Sequence, residues 1–232
     1  MSQFHPLWLI GASVLIALAP VLMGLFTSYV KISVVLGMLR SGLGAQQVPG
    51  NAVLMALSFA ITCYVMAPCL NETAALAAKL DWAALSSSPR AEMLQQSEPL
   101  LRPWCSFMRR HSGERELKAL LLLNCEREAD SARCLHARRL AQGLGTAQEE
   151  RPPAAVLAAA FVLSELKEGF AMGFALLLPF LVVDLIVANV LAGMGMFMLS
   201  PMLVSLPLKL ILFIVCDGWL LLTRGLVSSY LY

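Results

Sequence analysis

The chain has 232 residues, 59% of them apolar and only 14% charged, and its mean hydropathy is +0.74. A formal net charge of +2 gives no strong field for nucleic acid, and the apolar content excludes disordered and collagen-like classes. The uncharged runs are longer than a soluble globule of this size would bury, so the bilayer is the solvent to consider first.

Residues 1–70 hold two such runs. Pro6 to Val30 carries no charge and is long enough to span the hydrocarbon, and Ala52 to Leu70 is a second uncharged stretch. The first run has no Lys or Arg ahead of it, and its one small-residue cleavage pattern, Ala17-Leu18-Ala19, is followed by Pro20. It is therefore expected to be retained and not removed as a signal peptide. Between the runs, Gln46-Gln47-Val48-Pro49-Gly50-Asn51 has the chemistry of a turn. Lys31 and Arg40 are the only charges in this connection, and the positive-inside rule puts it in the cytoplasm. The second run then leads outward, so the following segment is expected on the periplasmic side.

Residues 71–157 differ in kind. They hold 12 of the 17 Lys and Arg and 11 of the 15 Asp and Glu, a density normal for a water-facing domain. Ala74 to Leu80 and Glu116 to Glu128 read as helix, and Ser86 to Pro89 and Gly143 to Pro153 as loops. An oxidising compartment would permit a Cys125–Cys134 disulfide. With His136 these cysteines match no standard zinc spacing, so no metal site is expected. Cys63, Cys69 and Cys216 lie in apolar runs and read as small core residues.

Residues 158–232 are apolar again, in Gly169 to Val183 and Leu185 to Leu208, with Pro179, Pro201 and Pro207 as expected interruptions. No segment alternates with a period of two, which argues against a β-barrel. The expected class is all-α: two long apolar helical hairpins, at 1–70 and 158–232, flanking a soluble helical insert at 71–157.

The charges within the apolar blocks decide more than the hydropathy does. A charge at mid-bilayer costs about 2.5–3.5 kcal/mol on insertion scales. Asp184, Lys209 and Asp217 sit deep in apolar sequence and are expected to be buried against protein as structural charges. Gly169 and Gly173 form a GxxxG pair that allows close helix approach. Four of the twelve methionines, Met194, Met196, Met198 and Met202, fall within nine residues, between glycines and Pro201. A regular helix is not expected there, and such long, flexible side chains adapt to irregular partners.

In order along the chain, Thr27-Ser28-Tyr29-Val30-Lys31-Ile32, Gln46-Gln47-Val48-Pro49-Gly50-Asn51, Ser164-Glu165-Leu166-Lys167, Pro179-Phe180-Leu181-Val182-Val183-Asp184, Gly195-Met196-Phe197-Met198-Leu199-Ser200-Pro201, Leu206-Pro207-Leu208-Lys209-Leu210 and Asp217-Gly218-Trp219 resemble the blocks of the SctR/FliP family. The similarity covers about 27–70 and 160–222 and leaves the insert unmatched. The resemblance implies a core component of the type III secretion export apparatus: a homopentamer joined by SctS/FliQ-like and SctT/FliR-like proteins. Their hairpins stack into a helical, ring-like export gate of the inner membrane, with the apolar segments lying largely toward the periplasm. It implies an inter-helix or inter-subunit ion pair between Glu165 and Lys209. It also implies a pore gasket at Met196 and Met198 with Met194 nearby, Phe197 standing where the family carries another methionine. The cargo would be unfolded secreted protein, and no cofactor is implied. The flagellar branch typically begins with a cleavable signal and a longer N-terminus, so the injectisome branch is favoured. Against these stand a lone ion or solute transporter using Asp184 and Asp217, which should show internal repeats, and an intramembrane protease, for which no GxSxG or facing catalytic pair exists in the sequence.

Overall fold

The computed structural model describes residues 11, 13–14, 17–18, 23–44, 49–79, 90–127 and 152–231. Every regular element among them is an α-helix: α1 (Tyr29–Leu43), α2 (Asn51–Ala77), α3 (Arg90–His111), α4 (Glu114–Arg127), α5 (Ala154–Gly193), α6 (Pro201–Val215) and α7 (Gly218–Ser228). The all-α class expected from the sequence is met. About half of the first apolar run, the loop expected at 86–89, most of that expected at 143–153, and Cys134 and His136 lie outside the described residues.

Two of the expected interruptions are not interruptions. Pro179 stands inside the 40-residue α5 and Pro207 inside α6, as Pro68 does inside α2. Proline removes one backbone donor and pushes on the preceding turn, but it need not end a helix held on both sides by packing. α2 and α5 are each long and apolar enough to cross a membrane, and α6 and α7, bent by 63° at their junction, form a third candidate if taken together.

The chain forms two compact units, Ser28–Val65 with Leu166–Tyr232, and Met1–Thr27 with Met66–Glu165. In the first, α1 buries Ile32, Val35, Leu36, Leu39 and Leu43, one helical stripe, against Ile61, Phe180, Phe213, Leu222 and Leu226. The glycine pair makes the approach close. A β-carbon on Gly169 would lie 3.3 Å from the Lys31 backbone, and one on Gly173 would run into the Met38 side chain. α1 ends at Gly44, whose φ of +73° suits a residue with no β-carbon, and its N–H bonds the Ser41 carbonyl at 3.2 Å. Arg40 in the last turn reaches the carboxamide oxygen of Asn51, tying the end of α1 to the start of α2.

In the second unit, α3, α4 and the start of α5 enclose Met108, Leu117, Leu121, Val156, Leu157, Ala160 and Phe161. Phe107 meets Phe161 edge-on at 5.8 Å. The α3–α4 corner is fixed by the Gly113 N–H, which donates to Ser164 Oγ at 2.8 Å. α4 matches the helix read at 116–128, whereas α3 was not foreseen: with Pro99 and Pro103 inside it, its sequence gives a weak helical signal.

Candidate functional site

The methionine segment is a well-formed corner. α5 ends in a Schellman motif: Gly195 takes φ +73°, its N–H bonds the Ala192 carbonyl at 3.1 Å, and the Met196 N–H bonds the Leu191 carbonyl at 2.9 Å. Ser200 then takes extended geometry and Pro201 opens α6, a position where the missing N–H is no loss. The backbone groups are thus satisfied locally, and the side chains are left outward. Met194, Met196, Phe197 and Met198 are all exposed, Phe197 at 82% and Met198 at 100%. Three flexible thioethers and a ring held out on a rigid turn cannot be ordinary core filling within this protomer.

Beneath the loop lies a polar knot. Asp184 accepts from Ser205 Oγ at 2.6 Å on one oxygen and from Lys209 Nζ at 2.6 Å on the other. Lys209 also donates to the Gly42 carbonyl at 3.0 Å, one of the last carbonyls of α1, which have no intrahelical donor. A cation at a helix C-terminus is favourable there. Lys209 is buried, while the Asp184 side chain keeps 39% of its exposure. Ser205 carried no sequence signal, and the Lys209–Asp184 pair joins residues 25 apart, beyond the reach of any helical spacing rule.

A second knot was missed altogether. Lys31, read from sequence as a charge in a connection, is fully buried on α1. Its ammonium lies 2.6 Å from a Glu168 oxygen and 4.2 Å from the centre of the Tyr230 ring, while Tyr230 Oη donates to the Ser28 carbonyl at 3.5 Å. Both charges that carried the orientation argument therefore have partners, Lys31 in this buried knot and Arg40 on Asn51 at the surface.

Within the protomer Asp217 is exposed. It occupies the left-handed region, φ 48° and ψ 46°, at the bend between α6 and α7, a conformation that Asp tolerates better than most residues. Its neighbour Gly218 is required there: a β-carbon would strike the Phe213 ring, which packs edge-on against Trp219 at 5.2 Å. The Asp217-Gly218-Trp219 motif is thus a helix corner. Asp184, half-exposed, also falls short of full burial in the protomer. Glu165 is fully buried on α5. Cys125 is buried on α4 and is disulfide-bonded, whereas Cys63, Cys69, Cys105 and Cys216 are free. Among the described residues no cluster of three or more His, Cys, Asp or Glu could hold a metal ion.

The surface is that of a membrane-associated subunit: Lys31, Glu165 and Lys209 are buried, and an outer face of Leu181, Leu185, Ile186, Ile211, Ile214 and Leu220 is exposed. Patches of that extent are covered by lipid or by other chains. The chain belongs to the FliP family, which matches residues 13–226. It is 39% identical to the "Pathogenicity-related ORF2" protein of Xanthomonas campestris pv. glycines, over 94% of this chain and 93% of that one. It is 37% identical to the "Hypersensitivity response secretion protein HrcR" of Ralstonia nicotianae, over 96% of each. It is also 37% identical to the "Flagellar biosynthetic protein FliP" of Caulobacter vibrioides, over 96% of this chain and 75% of that one.

Proposed function

We propose that this chain is a core subunit of the type III protein secretion export gate, forming the channel through which unfolded proteins leave the cytoplasm. The observation that carries it is the loop at 194–200: apolar, outward-facing and rigidly capped, in a chain of the FliP family whose relatives are named for secretion and flagellar biosynthesis. Several copies presenting Met194, Met196, Phe197 and Met198 to a common axis would close a pore with soft side chains. Such a ring seals against ions at rest and deforms around a passing chain. Phe197, stiffer than methionine, sets the narrowest ring's rigid part. No catalytic step is assigned to the chain, which carries no Walker-A phosphate loop, so the energy for export comes from elsewhere.

The assembly is a homopentamer with SctS/FliQ-like and SctT/FliR-like partners, in the bacterial inner membrane, with the 71–157 insert on the periplasmic side. The exposed apolar faces of α5, α6 and α7 supply the surface for those neighbours, which also bury Asp184 and Asp217. Glu165, fully buried on α5, forms an ion pair with Lys209 between helices or subunits, and Cys125 bridges to Cys134 in the oxidising periplasm. The virulence-related names of the Xanthomonas and Ralstonia relatives favour the injectisome branch.

Passive ion leakage tests the gasket. In cells holding the complete complex, Met196→Ala with Met198→Ala raises permeability at rest, and leakage equal to wild type would sink the gasket role. For the ion pair, Lys209→Glu impairs assembly and adding Glu165→Lys restores part of it, as scored by native gels of the extracted complex.

A further inference from the structure

We infer that Asp184 is a positioning residue for the methionine loop: its carboxylate staples α5 to α6 in one register and so fixes where residues 194–200 stand. The functional weight of this inference rests on the gasket reading above, but the positional statement does not.

Apart from the buried Phe180 and Phe213 rings, 6.5 Å apart, the α5–α6 interface is aliphatic. Val183, Ile186 and Val187 face Leu208, Ile211, Leu212 and Val215 across an apolar groove of about 390 Å³. Contacts of this kind are non-directional, and one helix can slide along the other at small cost. Asp184 ends that freedom. Both of its oxygens are used, one by Ser205 and one by Lys209, each at 2.6 Å. These donors are four residues apart and so lie on one face of α6. A slip of α6 by a single turn carries one donor to where the other stood, so at least one of the two bonds is lost.

The staple is also anchored. Lys209 holds the Gly42 carbonyl at the end of α1, so the register is fixed relative to a third helix and not merely within the hairpin. The loop has no comparable anchor of its own. Its hydrogen bonds among the described residues are backbone bonds to neighbouring residues, which set its shape but not its place. Met194 follows Asp184 by ten residues and Ser200 precedes Ser205 by five. The loop therefore inherits its position from the staple. A methionine ring seals only if every copy presents its tip at the same height, and Asp184, Ser205 and Lys209 set that height.

The test is a distance. Spin labels at Ser41→Cys and Phe197→Cys, in the full-length protein with Cys63, Cys69, Cys105 and Cys216 replaced by serine, report the loop against the end of α1. In the parent protein a single narrow distribution is expected. Asp184→Asn and Lys209→Met increase the displaced population by about tenfold or more, the effect of losing a charge-assisted hydrogen bond. Ser205→Ala gives a smaller increase, and Lys209→Arg, which keeps charge and donors, keeps the narrow distribution. Should Asp184→Asn not fold, Ser205→Ala decides, since it removes one hydroxyl only. An unchanged distribution in the folded Asp184 and Ser205 variants overturns the inference. Leakage then separates the two readings: a displaced loop without leakage in Asp184→Asn, and none in the double methionine variant, removes the gasket and leaves the staple.

Discussion

The two units place charge and grease in opposite ways. In the insert, the cluster around Phe161, Leu117, Leu121 and Met108 is entirely apolar, and Arg109, Arg110, Glu114 and Lys118 lie at the surface. In the other unit, Lys31 and Lys209 are inside while Leu185, Ile211 and Leu220 face out. The same energetics govern both. Apolar surface goes wherever water is not, and a charge withdrawn from water must find a counter-charge or a dipole. The insert is stabilised by burial of its apolar cluster. The apolar unit meets lipid or neighbouring chains, so burial distinguishes little between arrangements, and its polar knots specify which arrangement is adopted. Buried ion pairs add little net stability, yet removing one partner is costly.

That contrast can be broken most visibly in the insert. Phe161→Ala, at a fully buried position, is expected to cost about 3–5 kcal/mol. Hydrogen exchange should show lost protection in α3 and α4 with α6 and α7 unaffected; loss spread equally over both would mean that they unfold as one. In the apolar unit a change of one atom should have a similar order of effect. Glu168→Gln keeps the volume but leaves the Lys31 ammonium with a neutral partner and the Tyr230 ring. Because the Glu168 side chain is itself 54% exposed, the cost is about 2 kcal/mol, below the full value for a buried pair. Thermal unfolding in detergent checks it, and a shift within the scatter of surface variants would mean that Lys31 is not held by that carboxylate.

The contrast also explains what could be read beforehand. The all-α class, the charged insert and the methionine corner follow from local pattern: length, charge density, glycine and proline spacing. The interior of the apolar unit does not. α5 is apolar on all sides, so periodicity cannot tell which face meets protein. Lys31 looked like a loop charge because its partners, Glu168 and Tyr230, lie far along the chain. Asp184 stood out as a charge in apolar sequence, but Ser205 was invisible, since a serine in an apolar helix is common. Asp217 stood out as an acid in apolar sequence, but its left-handed backbone at an exposed bend of the protomer carried no sequence signal. Signals that need only neighbours in sequence were readable, and those that need neighbours in space were not.

The smallest effect sharpens the comparison furthest, because it repeats the Glu168→Gln chemistry on the other side. Glu114 pairs with Lys118 one turn later at 3.3 Å, with both side chains exposed, at 87% and 47%. Such a pair is worth about 0.3–0.5 kcal/mol, since water solvates both ions and each side chain loses freedom on pairing. Glu114 also lies in the first turn of α4, where a negative charge is favoured by the helix dipole, so Glu114→Gln loses a few tenths more. Salt distinguishes the two sites. At about 0.15 M the screening length is about 8 Å, which weakens an exposed pair and leaves a buried one nearly untouched. The Glu114→Gln cost should therefore fade when thermal unfolding is repeated at high salt, whereas the Glu168→Gln cost, with Lys31 buried and Glu168 half-exposed, should fall by a smaller fraction. Equal salt sensitivity at both positions would mean that the Lys31 site is reached by water, and that the polarity of the two units is less inverted than the fold implies.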